Sequence, residues 1–143
     1  MYCTADIERL VEQIKSLGLS APQEMLSSDS ESLCKICNGI GCEHPEHVPY
    51  WVRFLLNKIM FWAKCSAAIH DWRYANSDGK QETRLVADKE FRQNLLDEIS
   101  NGQRFFKWGK EWAALRAYNA VRKYGYSDWC IAFAEKNQKN SQG

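Results

Sequence analysis

Apolar side chains recur at the spacing of an α-helix along most of this 143-residue chain. In residues 5–17 the apolar positions fall on one helical face and are Ile7, Leu10, Val11, Ile14 and Leu17. No segment shows the alternation of apolar and polar residues that is typical of a half-buried strand. The sequence therefore predicts an all-α fold.

Three parts are predicted along the chain. Residues 1–32 hold short helices and end in a polar linker at 27–32, residues 33–136 form the main helical domain, and residues 137–143 form a frayed polar tail. Within the main domain, helical patterns run over residues 50–75, 83–100, 111–124 and 129–136. Asn76 to Gly79 have the composition of a turn between the first two of these helices.

Charge and leader patterns limit the partners and the compartment. The 19 basic and 18 acidic residues give a net charge of +1, which predicts no nucleic-acid partner. The first 15 residues lack the pattern of a signal peptide, and the chain has no apolar run of membrane-spanning length. These features predict a soluble cytoplasmic protein, with a virion-associated location as the alternative. Cysteines in that compartment are usually reduced, so clustered cysteines favour a metal site over disulfides.

A cysteine-rich loop, residues 33–49, provides the candidate metal site. Its sulfur and imidazole groups are Cys34, Cys37, Cys42, His44 and His47. Structural zinc takes four such ligands in a tetrahedron, so we expect the three cysteines and one of the two histidines to hold Zn²⁺. The alternative is a loop of free or disulfide-paired cysteines. Residues 34–41 (CKICNGIG) also resemble one half-site of a DnaJ-type zinc module, although a single copy implies no chaperone function.

A second candidate site lies on the next helix and its successor. His70 and Tyr74 are four residues apart and share a helical face, whereas Asp71 is turned about 100° away. An antiparallel hairpin would bring Asp88 beside His70, where a carboxylate fixes the imidazole tautomer and stabilises the imidazolium. Asp71 would then be free to bind a hard cation. The alternative is a histidine packed between helices with an incidental acidic neighbour.

These residues resemble a known family. Residues 70–74 (HDWRY) resemble the His-Asp-x-x-Tyr signature of secreted-type phospholipase A2, and residues 87–91 (ADKEF) are similar to the second-helix motif of its short prokaryotic and phage members. Residues 117–125 (AYNAVRKYG) are similar to a third helix in related proteins. The same three motifs also resemble a domain family of unassigned function in tailed phages. The implied fold is a phospholipase A2-like antiparallel helix hairpin with additional helices and an irregular Cys/Gly loop.

The resemblance implies a role for each side chain of the second site. His70 would be the general base that activates water, Asp88 would orient it, and Tyr74 would hydrogen-bond Asp88. Asp71 would ligate Ca²⁺. The implied activity is Ca²⁺-dependent hydrolysis of the sn-2 ester of glycerophospholipids at a phospholipid or membrane surface. A candidate lipid-facing rim, which would otherwise be core, consists of Trp51, Phe54, Leu55, Met60 and Trp62.

The chain departs from that family's pattern at two cysteine positions and in its calcium loop. Trp72 and Ala87 stand where the family often has cysteine, so Cys65 lacks its expected disulfide partner. The carbonyls of Gly39 and Gly41 are the candidate Ca²⁺ ligands in the loop.

The distance between that loop and Asp71 limits the calcium hypothesis. One unbroken helix over residues 49–70 would span about 32 Å, more than the preceding residues 41–49 could retrace when fully extended. The helix must therefore break near residues 57–58, or the loop serves another purpose. The second functional hypothesis is accordingly a non-catalytic, zinc-stabilised helical binding or structural module related to phage proteins.

Overall fold

The computed structural model describes residues 4–37, 49–50, 54, 62–101 and 107–141. Over these ranges the protein is all-α, as predicted, and contains no strand. The helices are α1 (Thr4–Leu17), α2 (Gln23–Leu26), α3 (Ser30–Ile36), α4 (Lys64–Ala75), α5 (Gln81–Asn101), α6 (Lys107–Tyr124) and α7 (Tyr126–Ser141). No helix in the described ranges is long and apolar enough to cross a membrane.

Several helix boundaries follow from local chemistry. α1 ends at Gly18, whose φ of 63° lies in the left-handed region that glycine tolerates best. α3 begins inside the predicted linker because Asp29 caps it, its carboxylate accepting the Ser32 N–H at 2.8 Å. At the other end of the chain, α7 continues through Ser141, into the residues expected to form a polar tail.

The start of α4 differs from the prediction of one helix over residues 50–75. α4 begins only at Lys64, and Ala63 before it provides no capping side chain. The cap comes from α5 instead: the buried Glu98 carboxylate accepts the N–H groups of Cys65 at 3.3 Å and of Ser66 at 3.1 Å. It also accepts the Ser66 hydroxyl. A distant side chain thus defines this helix start, which local sequence could not reveal.

Two apolar clusters hold the helices together. One lies where α5 meets α6 and comprises Ala63, Phe91, Leu95, Ile99, Ala114, Ala117, Ala120 and Val121. The other joins α1, α2 and α3 to α4 and comprises Ile7, Leu10, Ile14, Leu19, Met25, Leu33, Cys37, Cys65, Ala68 and Ile69. In the hairpin of α4 and α5, α4 packs into the second cluster and α5 into the first. The side chains between these two helices are therefore held in place by a cluster on each helix.

A polar contact also fixes the N-terminal helices on the hairpin. The buried Asn94 amide accepts the Ser20 main-chain N–H at 2.9 Å and donates to the Ser20 carbonyl at 2.8 Å. This two-point pairing satisfies the main chain between α1 and α2. The N-terminal segment therefore packs directly on the helices that hold the candidate site.

Candidate functional site

The central contact of the site joins the facing sides of α4 and α5. His70 Nε2 lies 3.1 Å from Asp88 Oδ1, and the two residues are only 6% and 0% exposed. An ionised carboxylate can only accept, so Nε2 donates and Nδ1 is left as the acceptor of the neutral imidazole. The hairpin therefore brings together the two residues that sequence spacing placed side by side.

Tyr74 reaches the same carboxylate from one turn further along α4. Its hydroxyl donates to Asp88 Oδ1 at 2.8 Å, and its ring packs against the His70 imidazole with centroids 4.3 Å apart. Burial, and then the charge of Asp88, raises the pKa of the phenol. Tyr74 therefore stays protonated as a donor. The Phe91 ring also packs against the imidazole, with ring centroids 4.5 Å apart.

Two arginines complete the surroundings of Asp88, and sequence reasoning gave neither of them a role. Arg122 on α6 donates Nη1 to Asp88 Oδ2 at 2.8 Å, and Arg84 Nε lies 3.5 Å from the same oxygen. Burial alone would raise the pKa of this carboxyl, but hydrogen bonds from His70 and Arg122 outweigh it and lower the pKa. Asp88 is therefore an ionised acceptor for every group that faces it.

Arg84 also ties this site to the end of α6. Its Nη2 donates to the carbonyls of Val121 at 3.1 Å and Arg122 at 2.6 Å, which are among the last carbonyls of that helix. The sequence contained a signal for each arginine. Arg84 precedes Asp88 by four residues on one helix, and Arg122 lies inside the third of the quoted motifs.

Asp71 lies on α4 beside this network without belonging to it. The residue as a whole is half-buried, but its Oδ2 is fully covered and has no hydrogen-bond partner within the described structure. Burial raises the pKa of this carboxyl to about 8. A buried carboxylate oxygen without a donor is costly to ionise, and a bound cation would supply the missing compensation.

Cys37 connects Asp71 to the start of the Cys/Gly loop. Its buried thiol donates to the Ala68 carbonyl on α4 at 3.7 Å. Burial, and then the Asp71 charge, raises the pKa of this thiol to about 12. Residues 33–36 of the predicted loop are the last turn of α3, and Cys37, which follows them, packs against α4 close to Asp71. The unbroken helix that seemed to hold the loop away is not present.

The remaining predicted ligands cannot be placed. Gly39, Gly41, Cys42, His44 and His47 lie outside the described residues. Among the residues that are described, no three histidine, cysteine or acidic side chains cluster as a metal site would require. The zinc assignment stays a prediction. Cys34, half-buried on α3, and Cys37 are its only described members, and both are free cysteines.

Comparison with known proteins assigns no family to this chain. No protein-family model, no curated protein and no solved structure matches it. The site offers a buried imidazole with one nitrogen held by an ionised carboxylate, and an adjacent carboxylate whose Oδ2 has no hydrogen-bond partner among the described residues. Such a pair suits proton abstraction next to a bound cation.

Proposed function

We propose that the protein is a Ca²⁺-dependent hydrolase of the phospholipase A2 type, which cleaves the sn-2 ester of glycerophospholipids. The observation that supports this most is the 3.1 Å contact of His70 Nε2 with an Asp88 carboxylate that Tyr74 and Arg122 also hold. The hairpin of α4 and α5 provides the rigid frame that such a pair needs. The three motifs resembling that family supply the substrate class.

His70 acts as the general base in this proposal. Its Nδ1 takes a proton from water while the water oxygen bonds to the ester carbonyl carbon. The ester bond then breaks, and the same proton passes to the leaving glycerol oxygen, giving a fatty acid and a lysophospholipid. Asp88 keeps Nε2 protonated and compensates the imidazolium. Tyr74 and Arg122 hold the carboxylate in place, so they are positioning residues.

Asp71 fits the Ca²⁺ that this chemistry requires. Its Oδ2 is a buried carboxylate oxygen with no donor in the described part of the chain, and hard cations take such ligands. The carbonyls of Gly39 and Gly41 are the other proposed ligands, and Cys37 brings the chain before them close to Asp71. When bound, Ca²⁺ would polarise the ester carbonyl and neutralise the oxyanion.

The test is release of fatty acid from phosphatidylcholine vesicles by the full chain, with Ca²⁺ and with a chelator. We expect Ca²⁺-dependent release that falls at least about 100-fold in His70→Gln, because a general base contributes at least that much. Thermal unfolding of the variant shows whether it is folded. Release that is unchanged in His70→Gln, or no release at any Ca²⁺ concentration, would falsify the proposal.

A non-catalytic helical module is the second candidate. The observation that favours it is the low exposure of His70, 6%, within a network that joins α4, α5 and α6. A buried polar network of this kind can serve only to fix how helices pack. This candidate includes zinc held by the Cys34–His47 loop. Metal analysis of the purified protein tests that part: zinc far below one equivalent, with a fold unaffected by chelator, contradicts it.

A further inference from the structure

The outer face of α6 exposes three large apolar side chains. Trp108, Trp112 and Leu115 are 76%, 55% and 45% exposed. Their spacing of four and then three residues places them on one side of the helix, and we call this side the tryptophan face. The largest apolar groups of α6 thus point to solvent.

Packing of α6 on the core does not explain this arrangement. The opposite side of the helix is buried through small residues, among them Ala114, Ala117 and Ala120, which pack against α5. The face that stabilises the fold therefore uses mainly methyl groups, whereas two indoles remain outside. A row of exposed large apolar side chains, unlike a single one, indicates a surface for binding.

Two cations lie beside the tryptophan face without an acidic partner on α6. Of the five basic residues of α6, Arg122 is bound to Asp88, Lys110 lies over the Trp62 ring, and Lys107 Nζ lies 3.9 Å from the carboxylate of Glu111, the one acidic residue of the helix. The Arg116 guanidinium lies 4.9 Å from the Trp112 ring centroid, in a cation–π contact. Lys123 is exposed and follows Trp112 by eleven residues, about three turns, so it lies on the same side. The face therefore combines indoles with cations.

We propose that the tryptophan face docks the protein onto an anionic phospholipid surface. Indole rings favour the boundary between headgroups and acyl chains, and neighbouring cations pair with anionic headgroups. A second copy of the chain fits less well, because a two-fold contact sets the same patch against itself and would bring the Arg116 and Lys123 cations of both copies into one interface. This docking requires no hydrolysis, so it can hold whether or not the proposed activity does.

The test is co-sedimentation of the full chain with vesicles of ether-linked phospholipids, which no esterase can cleave. Vesicles of phosphatidylcholine alone are compared with vesicles that contain about 30% phosphatidylglycerol. We expect binding to the anionic vesicles, weaker binding at high salt, and little binding to the neutral ones. Trp108→Ala with Trp112→Ala should weaken partitioning about tenfold or more, because two interfacial anchors are lost.

Two matched controls make this result specific to α6. Val86→Ala on α5 removes another exposed apolar side chain, 63% exposed, and should leave binding unchanged. Arg116→Glu with Lys123→Glu should weaken binding at least about tenfold, whereas Lys15→Glu on α1 should not. Circular dichroism shows that each variant is folded.

Three outcomes would overturn the proposal. These are no binding to anionic vesicles, equal binding by wild type and the double tryptophan variant, and self-association that the tryptophan substitutions abolish. The last outcome, measured by analytical ultracentrifugation without lipid, would assign the face to a second copy of the chain.

Discussion

Gly125 lies directly against the hydroxyl group of Tyr74. A Cβ atom at Gly125 would come within 2.7 Å of the Tyr74 hydroxyl oxygen and 2.7 Å of the Val121 carbonyl. That hydroxyl is the one that donates to Asp88. The absence of a side chain between α6 and α7 therefore lets the tyrosine reach the carboxylate.

Gly125→Ala should accordingly disturb the site as well as the fold. We expect a loss of about 1–3 kcal/mol in the free energy of unfolding, because overpacking forces neighbouring atoms to shift. The rate of the proposed hydrolysis should fall with it. In a Tyr74→Phe background the loss should shrink by at least about 0.5 kcal/mol, since the clashing oxygen is gone. Denaturant unfolding of the wild type, the two single variants and the double variant measures this coupling.

Gly109→Ala is the matched control. Gly109 lies inside α6, and a Cβ there would meet nothing within 4 Å. Alanine should stabilise the helix by about 0.5–1 kcal/mol, because glycine is the poorer helix former. If both glycine substitutions changed the free energy of unfolding alike, close contact with Tyr74 would not explain the effect of Gly125→Ala.

The two arginines at Asp88 should differ in their importance for stability. Arg84 is 3% exposed and also holds two carbonyls of α6, whereas the Arg122 side chain is 30% exposed. Arg84→Gln should cost about 3 kcal/mol, because it leaves buried partners unsatisfied. Arg122→Gln should cost about 1 kcal/mol, since water can replace part of its ion pair. Chemical denaturation ranks the two variants, and a reversed order would contradict the burial argument.

Calcium should stabilise the protein through Asp71. At a free Ca²⁺ concentration about ten times the Kd, binding adds about 1.4 kcal/mol, which corresponds to a few degrees in Tm. Asp71→Asn should abolish this gain, because the amide oxygen carries no charge. Asp97→Asn on α5 is the control and should retain the gain. Differential scanning calorimetry measures both, and an unchanged Ca²⁺ effect in Asp71→Asn would remove Asp71 from the site.

Glu98 should make stability depend on pH. Its burial outweighs the hydrogen bonds from Ser66 and Cys65 and raises the pKa of the carboxyl. The folded state then holds the proton more tightly than the unfolded state. The stability that Glu98 contributes in this way is therefore fully present below the ordinary pKa of glutamate and is lost as pH rises through the raised pKa of the folded state.

Glu98→Gln removes the titrating carboxyl group but keeps a side-chain oxygen that can accept hydrogen bonds from the main-chain N–H groups at the start of α4. The free energy of unfolding of Glu98→Gln, relative to that of wild type, should therefore increase as pH rises from about 4 to 7, so the variant becomes relatively more stable. Glu82→Gln, an exposed position on the same helix, controls for the exchange of carboxylate for amide. Denaturant unfolding across this range checks the direction, and an opposite trend would contradict the assigned pKa shift.

Helical periodicity was enough to predict the all-α class and the existence of most of the long helices. The class follows from local sequence because side chains three and four residues apart must share a helical face. The contact of His70 with Asp88 was also within reach of the sequence. A short turn between two helices leaves little freedom except an antiparallel hairpin, which brings the end of α4 beside the start of α5.

Only the tertiary structure decided where α4 begins and what surrounds Asp88. Glu98 caps α4 from more than thirty residues away, and Arg122 approaches Asp88 from a third helix. Neither partner can be identified by spacing along the chain, because packing of distant helices sets those distances. Asp71 is the same case. Its sequence position marks a carboxylate turned away from His70, but only the folded chain buries its Oδ2 with no donor in the described ranges and raises the pKa of this carboxyl.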